Sequence, residues 1–317
     1  MADARVGMRF GGAILALAAL AAACPALRCD DDDSSRPRAA AVTIVASLGV
    51  EAHREAVEGI RGAFGDSVEI RIVDLAQAGS TDRVDRPGTR LIIALGTGAL
   101  DRITAEGAKI PVISAMVLRH VPSNLPEQLT PAATIALDVP VQVLLARLKQ
   151  LFPGKTRLGL IRNSSLGGPA AAAIAARAEQ AGFTVQVIDC PGPEALMPAL
   201  LRLKGAVDFV WCLPDGALYN SATIKPLILA SIEQRLPLIG FSESFARAGA
   251  AIGVYPDFRD VGRQTGEVAL QILNGQAVRP VEGPRKLKIA VNQSVLRLLG
   301  LRYSPEAARG GDFSILQ

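Results

Sequence analysis

The turn Gly96-Thr97-Gly98 combines residue types that can hold an anion. It follows the apolar run Leu91–Leu95 and precedes a segment with helical character. Backbone N–H groups at the start of a helix attract phosphate or carboxylate groups. A dinucleotide fingerprint, however, would need a third glycine where this chain has Asp101, and a Walker lysine is absent. The turn is therefore predicted to border a pocket for another small molecule, or to act only as a turn with a helix cap.

Residue types that build metal sites and nucleophilic active sites are scarce. The chain has two histidines and four cysteines, and none of them shows CxxC or HExxH spacing. The stretch "GFSES", residues 240–244, lacks the final glycine of a nucleophile elbow. We therefore predict a protein that is not an enzyme and that carries no metal and no cofactor. The histidines, His53 and His120, are expected to face solvent or to bond locally.

The first residues have the features of an export signal. A short basic start precedes the apolar run 13–23, which is too short to span a bilayer. The sequence "LAAAC" resembles a bacterial lipoprotein signal with a lipid anchor on Cys24, although Ala21 stands where a larger apolar residue is usual. Cleavage without lipidation is the alternative. Both interpretations make residues 1–23 a signal peptide and 24–40 a flexible tether, and both predict a periplasmic protein or a membrane-anchored lipoprotein.

Composition limits the classes of partner. The formal net charge is +4, and the basic residues are scattered without interleaved aromatic residues, which argues against nucleic-acid binding. The chain is 317 residues long and 50% hydrophobic, enough for two ordinary domains.

Predicted strands and helices, which must position the Gly96-Thr97-Gly98 turn, alternate along the chain. From residue 40 onward, β-branched apolar runs alternate with helical patterns, first over about 100 residues and then over a second stretch of similar length. Such alternation predicts an α/β protein with parallel sheets and helices on both faces, arranged as two similar lobes.

Four segments, taken together, resemble a known family. They are "LIIALGTGAL", "LFPGKTRLGLIRNSS", "VDFVWCLPDGALYN" with the following "RLPLIGFSESFARAGAAIGVYPDFRDVGRQTGEVALQILNG", and the closing "KIAVNQSVLRLLGL". They cover most of residues 40–301. In this order they resemble the ABC-transporter substrate-binding proteins of the type I periplasmic-binding class, in the subgroup associated with tryptophan and other amino acids.

The resemblance implies two Rossmann-like lobes joined by a three-crossover hinge, with a solute in the cleft between them. It places residues 41–136 and 253–287 in the first lobe. It places residues 137–252 and 288–305 in the second lobe, and leaves 306–317 as a tail. Ligands of open α/β sheets lie beyond the carboxyl ends of the strands, and Gly96 and Thr97 stand at such an end.

The cleft therefore predicts a set of ligand-binding residues at strand ends. In the first lobe they are Ser47, Leu48, Gly96, Thr97, Ala115 and Met116. In the second lobe they are Asn163, Ser164, Ser165, Asp215, Tyr219, Ser242 and Glu243.

Roles follow if the solute is an amino acid. Asp215 would accept hydrogen bonds from the ammonium group, and Thr97 with helix N-terminal amides would hold the carboxylate. Alternatives stay open at each position. Asp215 could cap a helix or shape a turn, Asn163 could be a turn residue, and Tyr219 could be a surface tyrosine.

Two further features concern the strands. Cys190 and Cys212 fall on strands that the usual order separates by one other strand, about 10 Å apart, which is too far for a disulfide. Both are expected to be buried free thiols.

Residues 76–88 form a short, polar segment where the family has a full helix. The second helix of the first lobe is therefore expected to be reduced or missing.

These inferences predict the solute-binding component of an ABC importer. It would be a monomer that captures a small-molecule solute by hinge closure and delivers it to an ABC permease in the membrane. The alternative is a ligand-sensing periplasmic protein of the same fold that signals to a membrane receptor.

Overall fold

The computed structural model describes residues 40–77, 83–118, 131–164 and 170–317. The predicted signal peptide, Cys24, His120 and Ser165 lie outside these ranges, as does the predicted tether up to residue 39. Within them, no helix is long and apolar enough to cross a membrane.

Strands and helices alternate as the sequence pattern predicts. The strands are β1 Ala40–Ala46, β2 Val68–Asp74, β3 Thr89–Leu95, β4 Val112–Val117, β5 Ala133–Ala136, β6 Arg157–Asn163, β7 Thr184–Cys190, β8 Phe209–Trp211, β9 Leu238–Gly240, β10 Ile252–Pro256, β11 Val281–Glu282, β12 Leu287–Asn292 and β13 Phe313–Leu316. The helices are α1 Glu51–Phe64, α2 Thr97–Glu106, α3 Val141–Leu151, α4 Ala170–Gln180, α5 Leu196–Leu201, α6 Ile224–Glu233, α7 Glu243–Ala248, α8 Phe258–Leu273 and α9 Gln293–Leu298.

The strands form two sheets. The first has the order β11-β5-β4-β3-β1-β2, and the second has the order β13-β12-β10-β9-β8-β6-β7. Their strands pair in parallel, except that β10 and β12 are antiparallel. Each sheet has its own buried core, which apolar faces of its helices help to form. The predicted α/β class with two parallel-dominated sheets is confirmed. We call the first sheet with α1, α2 and α8 the first lobe, and the second sheet with the other helices the second lobe.

The chain passes between the sheets three times, and two predicted boundaries need correction. β10 pairs with β9 and β12, so Gly253 belongs to the second sheet and the chain returns to the first lobe only after Pro256. β13 pairs with β12, so part of the predicted tail is an edge strand of the second sheet. The other passages follow β5 and β11.

Close packing of α1 against α8 holds the returning chain to the first lobe. Glycines stand where the two backbones meet. A Cβ added at Gly262 would overlap the carbonyl oxygen of Ala56, and one at Gly59 would overlap that of Arg259. A Cβ added at Gly266 would lie only 2.7 Å from the Cβ of Ala63. Small residues therefore allow these helices to approach to backbone contact.

In the connection from β2 to β3, the described residues 75–77 and 83–88 form no helix, which agrees with the expectation of a reduced or missing helix. Residues 83–88 form turns. Val84 fills the space beside the sheet with a fully buried side chain, in one core with Val73 and Ile103. Its backbone N–H donates to Glu106 Oε2 at 2.9 Å. The last residue of α2 thus provides the hydrogen-bond acceptor that a helix in this connection would provide from its own backbone.

Cys190 and Cys212 are buried free thiols, as predicted. β6 lies between β7, which ends at Cys190, and β8, which Cys212 directly follows, and this separates the two thiols. Burial raises the pKa of the Cys212 thiol to about 12, so it stays protonated at neutral pH.

Asp208 ties the starts of β6 and β8 together. Its carboxylate accepts hydrogen bonds from the backbone N–H of Thr156 at 3.1 Å and of Arg157 at 2.9 Å, and it pairs with the Arg157 and Lys155 side chains. Burial by itself would raise the pKa of the Asp208 carboxyl, but the bonds from Arg157 and the charge of Lys155 bring it below its ordinary value.

We therefore expect Asp208→Asn to lower the free energy of unfolding by about 2 kcal/mol at pH 7, because hydrogen bonds to the charged form are lost. A carboxyl with a lowered folded pKa contributes stability above its unfolded pKa of about 3.9 and loses it as the pH falls through the folded pKa. The difference in free energy of unfolding between variant and wild type should thus become smaller below about pH 4. Urea unfolding followed by circular dichroism measures this difference. Asp189→Asn is the control, since Asp189 pairs with Arg162 at an exposed site and should change stability by less than about 0.5 kcal/mol. A difference that persists unchanged at pH 3 would contradict this account of Asp208.

Candidate functional site

A cavity of about 400 Å³ opens at the carboxyl ends of β1, β3 and β4. Four of the predicted binding residues line it, namely Ser47, Gly96, Thr97 and Met116. The sequence-based prediction did not include the remaining lining residues. They are His53, Leu75, Leu95, Gly98, Ala99, Val117, Leu118 and Leu137.

The Gly96-Thr97 turn presents an uncapped helix start to this cavity. Gly96 has φ +83° and ψ 170°, a conformation that is essentially restricted to glycine. Its own N–H donates to the carbonyl of Ala115 at 2.8 Å, which fixes the end of β3 against β4. No side chain caps α2, and Thr97 and Gly98 are exposed. The first-turn N–H groups of α2 therefore remain available to an anionic group.

Met116 occupies a bulge at the end of β4. In the pairing of β4 with β5, Ala115 stands opposite Ile135 and Val117 opposite Ala136, so Met116 has no partner residue. Its φ is +61°, which is an unfavourable conformation for a long side chain. Bulges beside sites redirect a side chain, and this one places a buried methionine in the wall of the cavity.

His53 lines the cavity, although it was expected to face solvent or to bond locally. The local bond exists, because the backbone N–H of Ser47 donates to His53 Nδ1 at 3.2 Å. The ring also lies over Gly96, where an added Cβ would stand 3.3 Å from Nε2. Burial lowers the pKa of the imidazole, so the ring is neutral at pH 7. No pattern in the sequence indicates this position, since it depends on how β1 turns into α1.

Leu48 does not line the cavity. Its backbone N–H donates to Asp74 Oδ1 at 2.9 Å, and the same oxygen accepts from Ala76 N at 3.0 Å. These backbone hydrogen bonds hold the pKa of the Asp74 carboxyl below its ordinary value. The Leu48 side chain packs at the margin of the first-lobe core. Its N–H is thus committed to the fold and is not offered to a ligand. Ala115 lies beneath the surface, fully buried in that core.

In the second lobe, Asn163 and Ser164 end β6 as predicted, with Asn163 half-buried and Ser164 exposed. Ser242 caps α7, because its Oγ accepts from Phe245 N at 3.1 Å. Glu243 accepts from the hydroxyl of Tyr255 at 2.8 Å and pairs with Arg247. The structure therefore shows local bonds for Ser242 and Glu243, and none of these four residues lines the first-lobe cavity.

Asp215 anchors a turn, which is the alternative that the Pro-Asp-Gly sequence left open. Its Oδ1 accepts from Ala217 N at 2.8 Å and from Leu218 N at 3.2 Å. The side chain is half-buried. The two bonds described for the carboxylate use the same oxygen.

Tyr219 departs from its predicted place. The side chain is buried in the second-lobe core, with its ring centroid 5.9 Å from that of Phe241 and 6.3 Å from that of Phe245. Among the described residues its hydroxyl has no well-formed hydrogen bond, although the Cys212 thiol is near enough to affect its pKa. The large apolar area of the ring outweighs its polar tip, so the residue belongs to the core.

The described lining of the cavity offers hydrogen-bond donors and apolar walls, a combination that can accept a small anion with an apolar body. Its polar groups are backbone N–H groups, two hydroxyls and a neutral imidazole, and among the described residues no carboxylate or cationic side chain lines it. Leucine, valine, alanine and methionine side chains form the remaining walls. Among the described residues, no group of three potential metal ligands occurs.

Comparison with known proteins identifies a family and a shared fold. The model of the family described as ABC transporter substrate binding protein matches residues 72–309. A tyrosine-binding protein of Clostridioides difficile (strain R20291) is 22% identical over 220 residues, which make up 67% of this chain and 63% of that protein. The chain thus spans less than two thirds of that relative's length.

Solved structures share the fold. The ligand-free, open structure of a substrate-binding protein with adhesive properties from Clostridium difficile superposes with a TM-score of 0.65, at 20% identity, over 87% of this chain and 99% of that one. An ABC domain in complex with L-Trp from Streptococcus pneumonia has a TM-score of 0.58, at 19% identity, over 87% of this chain and 99% of that one. At these identities the likeness establishes the architecture and not the ligand.

Proposed function

Since the chain belongs to the family of ABC transporter substrate-binding proteins, we propose that it captures an amino acid with an apolar side chain and delivers it to an ABC permease. The family membership confirms the resemblance drawn from the sequence. Proteins of this family bind small solutes and are not enzymes.

The observation that carries the proposal is the combination of groups around the first-lobe cavity. The Gly96-Thr97 turn and the His53 ring lie next to each other, and most of the other described lining residues are apolar. A solute with a carboxylate at one end and an apolar side chain at the other matches both parts. The relatives named for tyrosine and solved with L-Trp support an amino acid as the class of solute.

The second lobe completes the site when the lobes close about the three chain crossings. Asn163 ends β6, Ser164 follows it, and Asp215 lies in the turn after β8, so all three follow carboxyl ends of strands in the second sheet. Asp215 is proposed to accept from the ammonium group of the solute through the oxygen that the turn does not use.

Export and anchoring belong to the same proposal. Residues 1–23 would direct the chain out of the cytoplasm, and lipidation of Cys24 would hold it at the membrane near its permease. The protein would act there as a monomer, with the tether up to residue 40 giving it reach.

The proposal is tested by Thr97→Ala in a calorimetric titration with L-tyrosine and L-tryptophan. The affinity should fall about 10- to 100-fold, because a hydrogen bond to a charged group contributes about 1.5–3 kcal/mol. Stability should not change, since Thr97 is exposed and its side chain caps no helix. Thr97→Ser retains the hydroxyl and serves as the matched control. Unchanged affinity in the alanine variant would place the carboxylate elsewhere.

A further inference from the structure

Among the described residues that line the cavity, His53 is the titratable side chain, and the sequence assigns no role to it. We infer that His53 determines the specificity of the site by donating a hydrogen bond from Nε2 to the carboxylate of the solute, while Ser47 fixes the other ring nitrogen. This inference rests on the proposed function, and it names the group of the solute that the ring selects.

The bond from Ser47 sets the tautomer of the ring. The backbone N–H of Ser47 can only donate, so His53 Nδ1, 3.2 Å away, must accept and cannot carry a hydrogen. A neutral imidazole has one N–H, which then lies on Nε2. Because Ser47 directly follows β1 and the donor is backbone, the strand end itself holds the ring in this state.

The neutral ring is the form present under ordinary conditions. Burial lowers the pKa of the imidazole, and protonation at Nδ1 would also break the bond from Ser47. His53 therefore acts as a single fixed donor rather than as a cation.

The free donor faces the turn that opens α2. An added Cβ at Gly96 would lie 3.2 Å from His53 Cε1 and 3.3 Å from Nε2, so the absence of a side chain at Gly96 makes room for the ring edge. Within the described part of the chain, Nε2 donates to no residue. A solute seated on the Gly96-Thr97 turn would therefore have its anionic end beside this N–H.

An N–H donor at His53 Nε2 discriminates between the carboxylate and the ammonium group of an amino acid. A carboxylate accepts from it, whereas an ammonium group would place two donors against each other and leave both unpaired. The ring thus sets the orientation of the amino acid, with its carboxylate toward the first lobe.

Two variants distinguish the roles of the two ring nitrogens of His53. In His53→Asn the side-chain Oδ1 can accept from Ser47 N in place of Nδ1, but no donor reaches the Nε2 position. In His53→Gln the amide N–H₂ can reach that position. Calorimetric titration with L-tyrosine and L-tryptophan should show a loss of about 10- to 100-fold in affinity for His53→Asn and only a few-fold loss for His53→Gln. Equal affinity of His53→Asn and wild type would overturn the inference, as would an equal loss in both variants.

A second measurement does not depend on the solute. In the ligand-free wild-type protein, ¹⁵N NMR of the imidazole at pH 7 should show an unprotonated Nδ1 and a protonated Nε2. The opposite tautomer would overturn the inference. If wild type binds neither amino acid, the proposed function fails, and the NMR result still decides the state of His53.

Discussion

Replacing Gly262 by alanine is expected to destabilise the protein strongly, because it adds a methyl group where α1 and α8 are in backbone contact. The new Cβ would overlap the carbonyl oxygen of Ala56, and its other close neighbours are also backbone atoms of α1. A flexible side chain could move aside, but here the two helices must separate. Overpacking in a core costs about 1–3 kcal/mol and more where backbone must move, so we expect at least about 3 kcal/mol. Total stabilities are about 5–15 kcal/mol, which makes this a large fraction.

Gly62→Ala is the matched control for this prediction. Gly62 lies in the interior of α1, it is exposed, and an added Cβ there meets nothing within 4 Å. Alanine is the better helix former, so the control should be stabilised by about 0.5–1 kcal/mol. Urea unfolding followed by circular dichroism measures both. Similar stabilities for the two variants would show that α1 and α8 are not held in backbone contact.

Replacing Gly96 by alanine is expected to abolish most solute binding. The backbone at φ +83° and ψ 170° is essentially restricted to glycine, and strain of about 1–3 kcal/mol follows when another residue occupies it. The added Cβ also stands 3.2–3.3 Å from the His53 ring, so the ring must shift away from the turn. Two hydrogen bonds to the carboxylate would weaken together, and the affinity for L-tyrosine or L-tryptophan should fall by more than about 100-fold.

Gly107→Ala is the matched control, because it introduces backbone strain into α2 without changing the lining of the cavity. Gly107 ends the same helix in a left-handed conformation, at φ +64°, and an added Cβ there meets nothing within 4 Å. Alanine at this position should lower the midpoint of thermal unfolding through a strain of about 1–2 kcal/mol, but leave the affinity unchanged. The Gly96 account fails if both variants bind as wild type does, or if both lose affinity equally.

The alternation of apolar runs and helical patterns was sufficient to predict the α/β class and the position of most elements. It could not assign β10 to its sheet. The stretch Ile252–Pro256 is apolar in either lobe, and only its pairing with β9 and β12 decides the boundary. The edge strand Phe313–Leu316 was missed because four residues carry too little pattern, and its partner is distant in sequence.

The candidate site was predictable in part, because strand ends can be located from the sequence. Ser47, Gly96, Thr97 and Met116 were found in this way. His53 was not, since its place in the wall depends on the path of the chain between β1 and α1.

Two further features of the site needed the three-dimensional packing. The bulge at Met116 arises from the register between β4 and β5, which no local pattern reveals. Tyr219 was predicted to line the cleft because it follows a strand end, but packing against Phe241 and Phe245 takes the ring into the core. Side chains that combine polar and apolar parts are the hardest to place from sequence, since the neighbours decide which part prevails.

We propose that the first-lobe cavity receives an amino acid through its carboxylate. The most direct test is a calorimetric titration of residues 40–317 with L-tyrosine and L-tryptophan, set against tyramine and tryptamine, which lack only the carboxylate. The account predicts saturable one-site binding of at least one of these amino acids and at least about 100-fold weaker binding of the matching amine. Equal binding of amino acid and amine, or binding of neither amino acid, would contradict it.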